Sequence, residues 1–91
     1  MMQGTRLMKI EGEDDFLFRI SETPGAYGSV NGKDWFCATP NGLLGNLGKH
    51  TVTEHEDGTI TVSPSILVTS GCDHGQPSWH GYLERGVWRE C

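Results

Sequence analysis

No stretch of this sequence approaches the roughly 18 consecutive apolar residues that a membrane-spanning helix needs. The opening MMQGTRLMKI is too briefly apolar to read as a secretory signal. The chain is therefore expected to be cytoplasmic, without a membrane partner. Basic residues are also scarce: 7 Lys and Arg stand against 12 Asp and Glu, for a net charge of -5, and they form no stripe. Proteins that track nucleic-acid phosphates need clustered cations, so a nucleic-acid partner is not expected. A basic protein partner is compatible with this charge, and so is plain solubility. Only three cysteines occur, with no repeated spacing, which argues against a disulfide framework. In a reducing cytosol they would be free thiols or metal ligands.

Aromatic residues make up 9% of the chain and hydrophobic residues 35%, so few large side chains are available for a core. The candidates are Trp35, Phe36, Trp79, Tyr82 and Trp88, with Phe16 and Phe18 beside them. What the chain has in quantity is glycine, 13 residues, with four prolines and few helix formers after residue 20. That balance predicts many turns joined by short strands. The expected architecture is a single small all-β domain over residues 1–91, with three or four β-hairpins in a partly rolled sheet or small sandwich.

Thr5 to Glu11 and Phe16 to Ile20 are two candidate strands across the acidic turn Gly12-Glu13-Asp14-Asp15, the second burying Phe16, Phe18 and Ile20 on one face. Pro24-Gly25 is a type II turn signal, because proline presets φ and glycine accepts the positive φ that follows. Asn31-Gly32 before Trp35-Phe36 signals a hairpin with a type I′ turn. Cys37 to Lys49 reads as a glycine-rich loop with Leu43, Leu44 and Leu47 packing onto the sheet; it lacks the Lys-Ser/Thr of a phosphate-binding loop. His50 to Val62 is a hairpin about Asp57-Gly58, open between a two-residue turn and a three-residue turn with a glycine bulge. Its His50 and His55 are expected on an exposed strand. Pro64 cannot donate to a ladder, so the strand must bend, bulge or lie at an edge there. Trp79 to Cys91 is a final hairpin; a two-residue turn at Arg85-Gly86 sets Leu83 against Trp88 and His80 against Cys91.

The densest chemistry falls in the last third of the chain. Cys72, His74, His80 and Cys91, with Cys37 as a fifth member, are the residue types that hold a tetrahedral zinc ion, which would also staple a domain short of core. Their spacing, C-x-H, then x5-H, then x10-C, contains no CxxC knuckle, and three dispersed cysteines are more often small buried hydrophobes. Cys72 or Cys91 paired with His74 or His80 would be a nucleophile and base, but no motif supplies a third, orienting group. Glu54, Glu56 and Asp57 are explained by the turn they flank. As a binding surface the candidates are Trp79, His80 and Tyr82; Trp79, Tyr82, Trp88 and Trp35 are the amphipathic aromatics that dominate interface hot spots when exposed, although most of them are needed for the core.

The run Ser63-Pro-Ser-Ile-Leu-Val68, Gly71-Cys72, Trp79-His80-Gly81-Tyr82-Leu83 and Gly86-Val87-Trp88 resembles a family of small uncharacterised proteins of bacteriophages, prophages and bacteria. The resemblance covers the C-terminal 40 or so residues and carries no established activity. Many members have a Cys-Pro-Cys-Gly-Cys cluster upstream; here that region reads Cys37-Ala-Thr-Pro-Asn-Gly42 and retains one cysteine at most. The resemblance implies a phage-type accessory protein in the host cytoplasm, non-enzymatic, binding a host protein or small ligand in a host-takeover or counter-defence role, with homo-oligomerisation as an option. The alternatives are a zinc-stabilised β domain and, third, a Cys/His-dependent enzyme.

Overall fold

The structure is a computed structural model and describes residues 2–69 and 78–91. It is built mostly of β-strands with one short helix, as the glycine-rich, helix-poor composition predicts. The strands are β1 Met2–Gln3, β2 Thr5–Arg6, β3 Ala26–Ser29, β4 Trp35–Ala38, β5 Leu44–Asn46, β6 Thr51–Glu54, β7 Ile60–Val68, β8 Trp79–Glu84 and β9 Val87–Glu90; helix α1 is Phe16–Ser21. They form a five-stranded sheet in the order β1-β9-β8-β7-β6 and a four-stranded sheet in the order β2-β3-β4-β5.

The main core lies between these sheets. Alternation turns Tyr27, Trp35 and Cys37 of the smaller sheet inward, where they meet Ile60, Val62, Ile66, Trp79, Leu83 and Trp88 of the larger one, with Leu43 and Leu47 closing the cluster. The opposite face of the smaller sheet is covered by α1, whose Phe16 and Ile20 pack on Ala26 and Ala38. Gly28 is part of that seat: a Cβ there would stand 2.7 Å from the Phe16 ring and 2.6 Å from the Leu7 carbonyl. The layers are therefore helix, four-stranded sheet and five-stranded sheet, and among the described residues no element covers the outer face of the last.

Three contacts tie the sheets together. The chain passes from β1 to β2 through Gly4, whose N–H donates to the Gly86 carbonyl at 2.7 Å. The Trp88 indole Nε1–H donates across the core to the Gly25 carbonyl at 2.8 Å. Arg6 lies over the Trp35 ring, 4.9 Å from its centroid, and donates to Glu54 at 2.9 Å and to the Gly58 carbonyl at 2.8 Å.

Several local expectations are corrected. Phe16 to Ile20 is a helix, not a strand: Phe16 and Ile20 are buried, but Phe18 is 63% exposed. Positions four apart share a face at either period, so only the residue between them separates the two readings. The strand expected from Thr5 to Glu11 stops at Arg6. Cys37 to Lys49 is not one loop, since Cys37 and Ala38 end β4 and Leu44 to Asn46 form an edge strand; Leu43 and Leu47 reach the core while Leu44 faces solvent. The hairpin at Asn31-Gly32 is present, but only Gly32 has positive φ. There the Asn31 Oδ1 accepts from the N–H of Lys33 and of Asp34, so a side-chain turn replaces the type I′ backbone turn. Phe36 and Tyr82 are half-buried, and Tyr27, not anticipated, is a principal core residue.

Other expectations hold. The Thr23 carbonyl accepts from the Ala26 N–H across Pro24-Gly25, with Gly25 at φ 86°. The Asp57-Gly58 alternative resolves to the three-residue form: the His55 carbonyl accepts from Gly58 N–H, His55 N–H donates to Thr59, and Gly58 takes the positive φ of the bulge. The register of β7 on β8 shifts between Val62 and Ile66, which places the disruption at Pro64. Arg85 and Gly86, at φ 46° and 77°, make the two-residue type I′ turn, and Leu83 pairs with Trp88.

Candidate functional site

Strand alternation divides the proposed binding residues between two faces. Trp79, Gly81 and Leu83 point inward, whereas His80, Tyr82 and Glu84 point out from the five-stranded sheet. Trp79 is only 4% exposed and meets Trp88 edge-on, with ring centroids 5.2 Å apart. It is a core residue, as its place among the candidate core aromatics allowed, and it is not part of the exposed surface on which His80 stands.

The outer face is organised in cross-strand rows. Leu67 on β7 pairs with His80 on β8, and the Cys91 N–H donates to the His80 carbonyl at 3.0 Å, so His80 and Cys91 are neighbours as the turn geometry predicts. In the next row Tyr82 pairs with Arg89, whose guanidinium lies 4.6 Å from the tyrosine ring centroid and bridges to Glu84 at 2.7 Å. Leu67 is 58% exposed. Leu67 could not be assigned to this face from sequence, because the inserted residues of the Pro64 bulge decide which β7 side chains oppose β8, whereas Arg89 follows from the Arg85-Gly86 turn that sets it opposite Tyr82.

A polar cluster crosses the same face. Ser65 Oγ lies 3.0 Å from His80 Nε2, and Cys91 Sγ lies 3.9 Å from that same nitrogen. His50 Nε2 is 3.1 Å from the Ser65 carbonyl, while its buried Nδ1 has no partner among the described residues. His50 precedes β6 and is half-buried, not exposed on a strand as expected. A shallow hollow of about 530 Å³ adjoins Leu67, lined by Asn46, Gly48, Lys49 and His50. A second depression, about 410 Å³, lies among Thr53, His55, Thr61, Glu84 and Arg85, where His55 Nε2 sits 2.7 Å from Thr61 Oγ1.

The expected zinc ligands are only partly placed. His80 and Cys91 stand together, whereas Cys72 and His74 lie outside the described residues. Cys37 is withdrawn as a partner of that pair: it belongs to the core between the sheets, so the five-stranded sheet separates it from His80 and Cys91. Among the described residues no three His, Cys, Asp or Glu side chains gather as a metal would require.

Burial pushes the Cys37 thiol up from 9.0 to about 12, against a smaller opposing effect of the Gly45 backbone. An alkylating reagent at neutral pH is therefore expected to label exposed Cys91 and spare Cys37 until the protein is denatured, as peptide mapping by mass spectrometry would show. The folded form keeps the Cys37 proton to higher pH than the unfolded one does. This contribution to stability is complete below pH 9 and is lost as pH rises toward 12.

No family model, curated protein or solved structure matches the chain.

Proposed function

We propose that this chain is a non-enzymatic binding module of the phage accessory type, recognising a host protein through the outer face of its five-stranded sheet. The observation that carries the reading is the pair of adjacent uncovered rows, Leu67 with His80 and Tyr82 with the Arg89 stacked on it, beside the hollow at His50 and Lys49. Interfaces favour amphipathic aromatics and arginine with apolar neighbours, and strands already paired in a sheet hold the backbone of these residues in place before binding. A small ligand seated in the hollow is the lesser form of the same reading. Support for the phage context is the resemblance of the Ser63–Val68 and Trp79–Trp88 segments. The Cys91–His80 pair can act as nucleophile and base only if a third group orients the imidazole.

The test is affinity capture from bacterial lysate with the natural chain and with a Leu67→Thr, His80→Gln double variant. Both side chains are exposed, so the melting temperature should move by less than about 4 °C, the shift that corresponds to roughly 1 kcal/mol in a domain of this size. The captured protein should be retained at least about tenfold less well, a loss of about 1.4 kcal/mol. Equal capture by both would remove the function from this face.

One observation favours zinc as the second reading. The 3.9 Å between Cys91 Sγ and His80 Nε2 is near the roughly 3.5 Å that sulfur and nitrogen ligands of one tetrahedral zinc would show. Zinc content near one per chain, abolished in Cys91→Ser, together with a lower melting temperature on chelation, would establish it.

A further inference from the structure

The three most exposed large apolar side chains among the described residues lie close together in sequence: Ile10 at 67%, Met8 at 64% and Phe18 at 63%. They are held on a braced frame. Arg19 donates through Nε and Nη2 to the two Glu13 oxygens, each at 2.9 Å, and through Nη2 to the Met8 carbonyl at 2.6 Å. Glu13 in turn accepts from the Ile10 N–H at 3.0 Å, and its own N–H donates to the Ile10 carbonyl at 2.8 Å. These bonds, the one to Arg19 foremost, hold the Glu13 carboxyl well below its usual range, at about 2. The segment from Met8 to the end of α1 is thus pre-organised, and it presents side chains that the fold itself does not bury.

The setting of this patch is acidic. Phe18 projects from the side of α1 opposite the core, with Glu22 one turn further on the same face and Asp14 and Asp15 just before the helix. Glu11 follows Ile10. Residues 8–22 hold five carboxylates, at Glu11, Glu13, Asp14, Asp15 and Glu22, against two cations, Lys9 and Arg19, and Arg19 is committed to Glu13. None of Glu11, Asp14, Asp15 and Glu22 forms an ion pair among the described residues.

We infer that the Met8, Ile10 and Phe18 patch is a docking surface for a basic amphipathic segment of a partner protein, whose apolar side chains cover the three residues while its Lys and Arg meet the surrounding carboxylates. Charge decides among occupants. A second copy would bring the same acidic rim against itself, and an anionic membrane would be repelled, whereas a Lys- and Arg-bearing helix gains on both counts. The patch lies beyond α1, on the opposite side of the layers from the outer face of the five-stranded sheet. It is therefore a second surface, independent of the one proposed above.

The probe is a short synthetic amphipathic helix of Leu and Lys, titrated into the isotope-labelled chain and followed by amide chemical shifts, with a Leu and Glu peptide of the same pattern as control. The Lys peptide should shift amides within residues 8–22, and its affinity should fall about tenfold or more as added salt screens the exposed charges. Phe18→Asp, at an exposed position, should weaken it by a similar factor, and so should Asp14→Lys with Asp15→Lys. Equal binding of both peptides, shifts mapped to other residues, or no shifts would overturn the assignment. Dimerisation in sedimentation equilibrium that Phe18→Asp abolishes would give the patch to a second copy, and flotation with zwitterionic vesicles would give it to lipid; either result also overturns it. Loss of host-protein capture in the Leu67→Thr, His80→Gln variant with these shifts intact would separate the two surfaces.

Discussion

Replacing Trp88 with alanine is expected to cost about 3–5 kcal/mol, as large core truncations do, and to leave only about 0–2 kcal/mol, with up to about half of the chains unfolded at room temperature, if its total stability is near the lower end of the usual 5–15. The side chain is 1% exposed and sits edge-on to Trp79. Two losses combine. Truncation opens a cavity between the sheets, and it strands the Gly25 carbonyl, which accepts the indole N–H in a buried hydrogen bond. Trp88→Phe separates them: it keeps most of the volume and loses the donor, so it should cost about 1–3 kcal/mol by the hydrogen-bond argument. Urea unfolding followed by far-ultraviolet circular dichroism would measure both variants. A Trp88→Ala protein with an unchanged midpoint would mean that the sheets are not held by this residue.

Gly81→Ala is expected to cost about 3 kcal/mol, the upper part of the range for overpacking a filled interior, although it adds one methyl group. Gly81 lies mid-strand in β8, paired with Ile66 on one side and Glu90 on the other. A Cβ there would collide with the Arg89 carbonyl oxygen and stand 2.5 Å from the Trp79 ring edge and 2.9 Å from the Glu90 Cα. Two of these neighbours are backbone of β9, so relief requires the β8-β9 ladder to open. The expected signature is a lowered unfolding midpoint with faster amide exchange along β8 and β9. Wild-type exchange there would show that the strands accommodate the methyl group and that the close approach is not needed.

Legibility differed from element to element for definite reasons. The Arg85-Gly86 hairpin could be read with its register because a two-residue turn leaves one pairing of the flanking residues, which sets His80 beside Cys91. The Asp57-Gly58 hairpin could be located but not registered, since two loop lengths satisfy the same glycine and each sends Glu54 to a different face. Helix α1 was misread because Phe16 and Ile20 fit both periods, and its helical state follows from packing on the small residues Ala26, Gly28 and Ala38. Trp79 and Tyr82 looked alike in sequence as aromatic anchors. Their separation into core and surface followed from strand alternation once Leu83 was known to face Trp88.

By itself the sequence determined the class of the molecule: glycine and proline punctuation, short alternating runs and few helix formers leave a small β domain as the consistent outcome, because these are local backbone preferences. It also determined most of the large core residues and the His80–Cys91 neighbourhood, through one tight turn. Tertiary structure alone decided the division into two sheets with a helix beyond the smaller one, the burial of Cys37 away from His80 and Cys91, and the surfaces left uncovered at Leu67 and Phe18. Those depend on contacts between residues distant in the chain, and on the two-residue displacement at Pro64 that selects which side chains of β7 stand opposite β8.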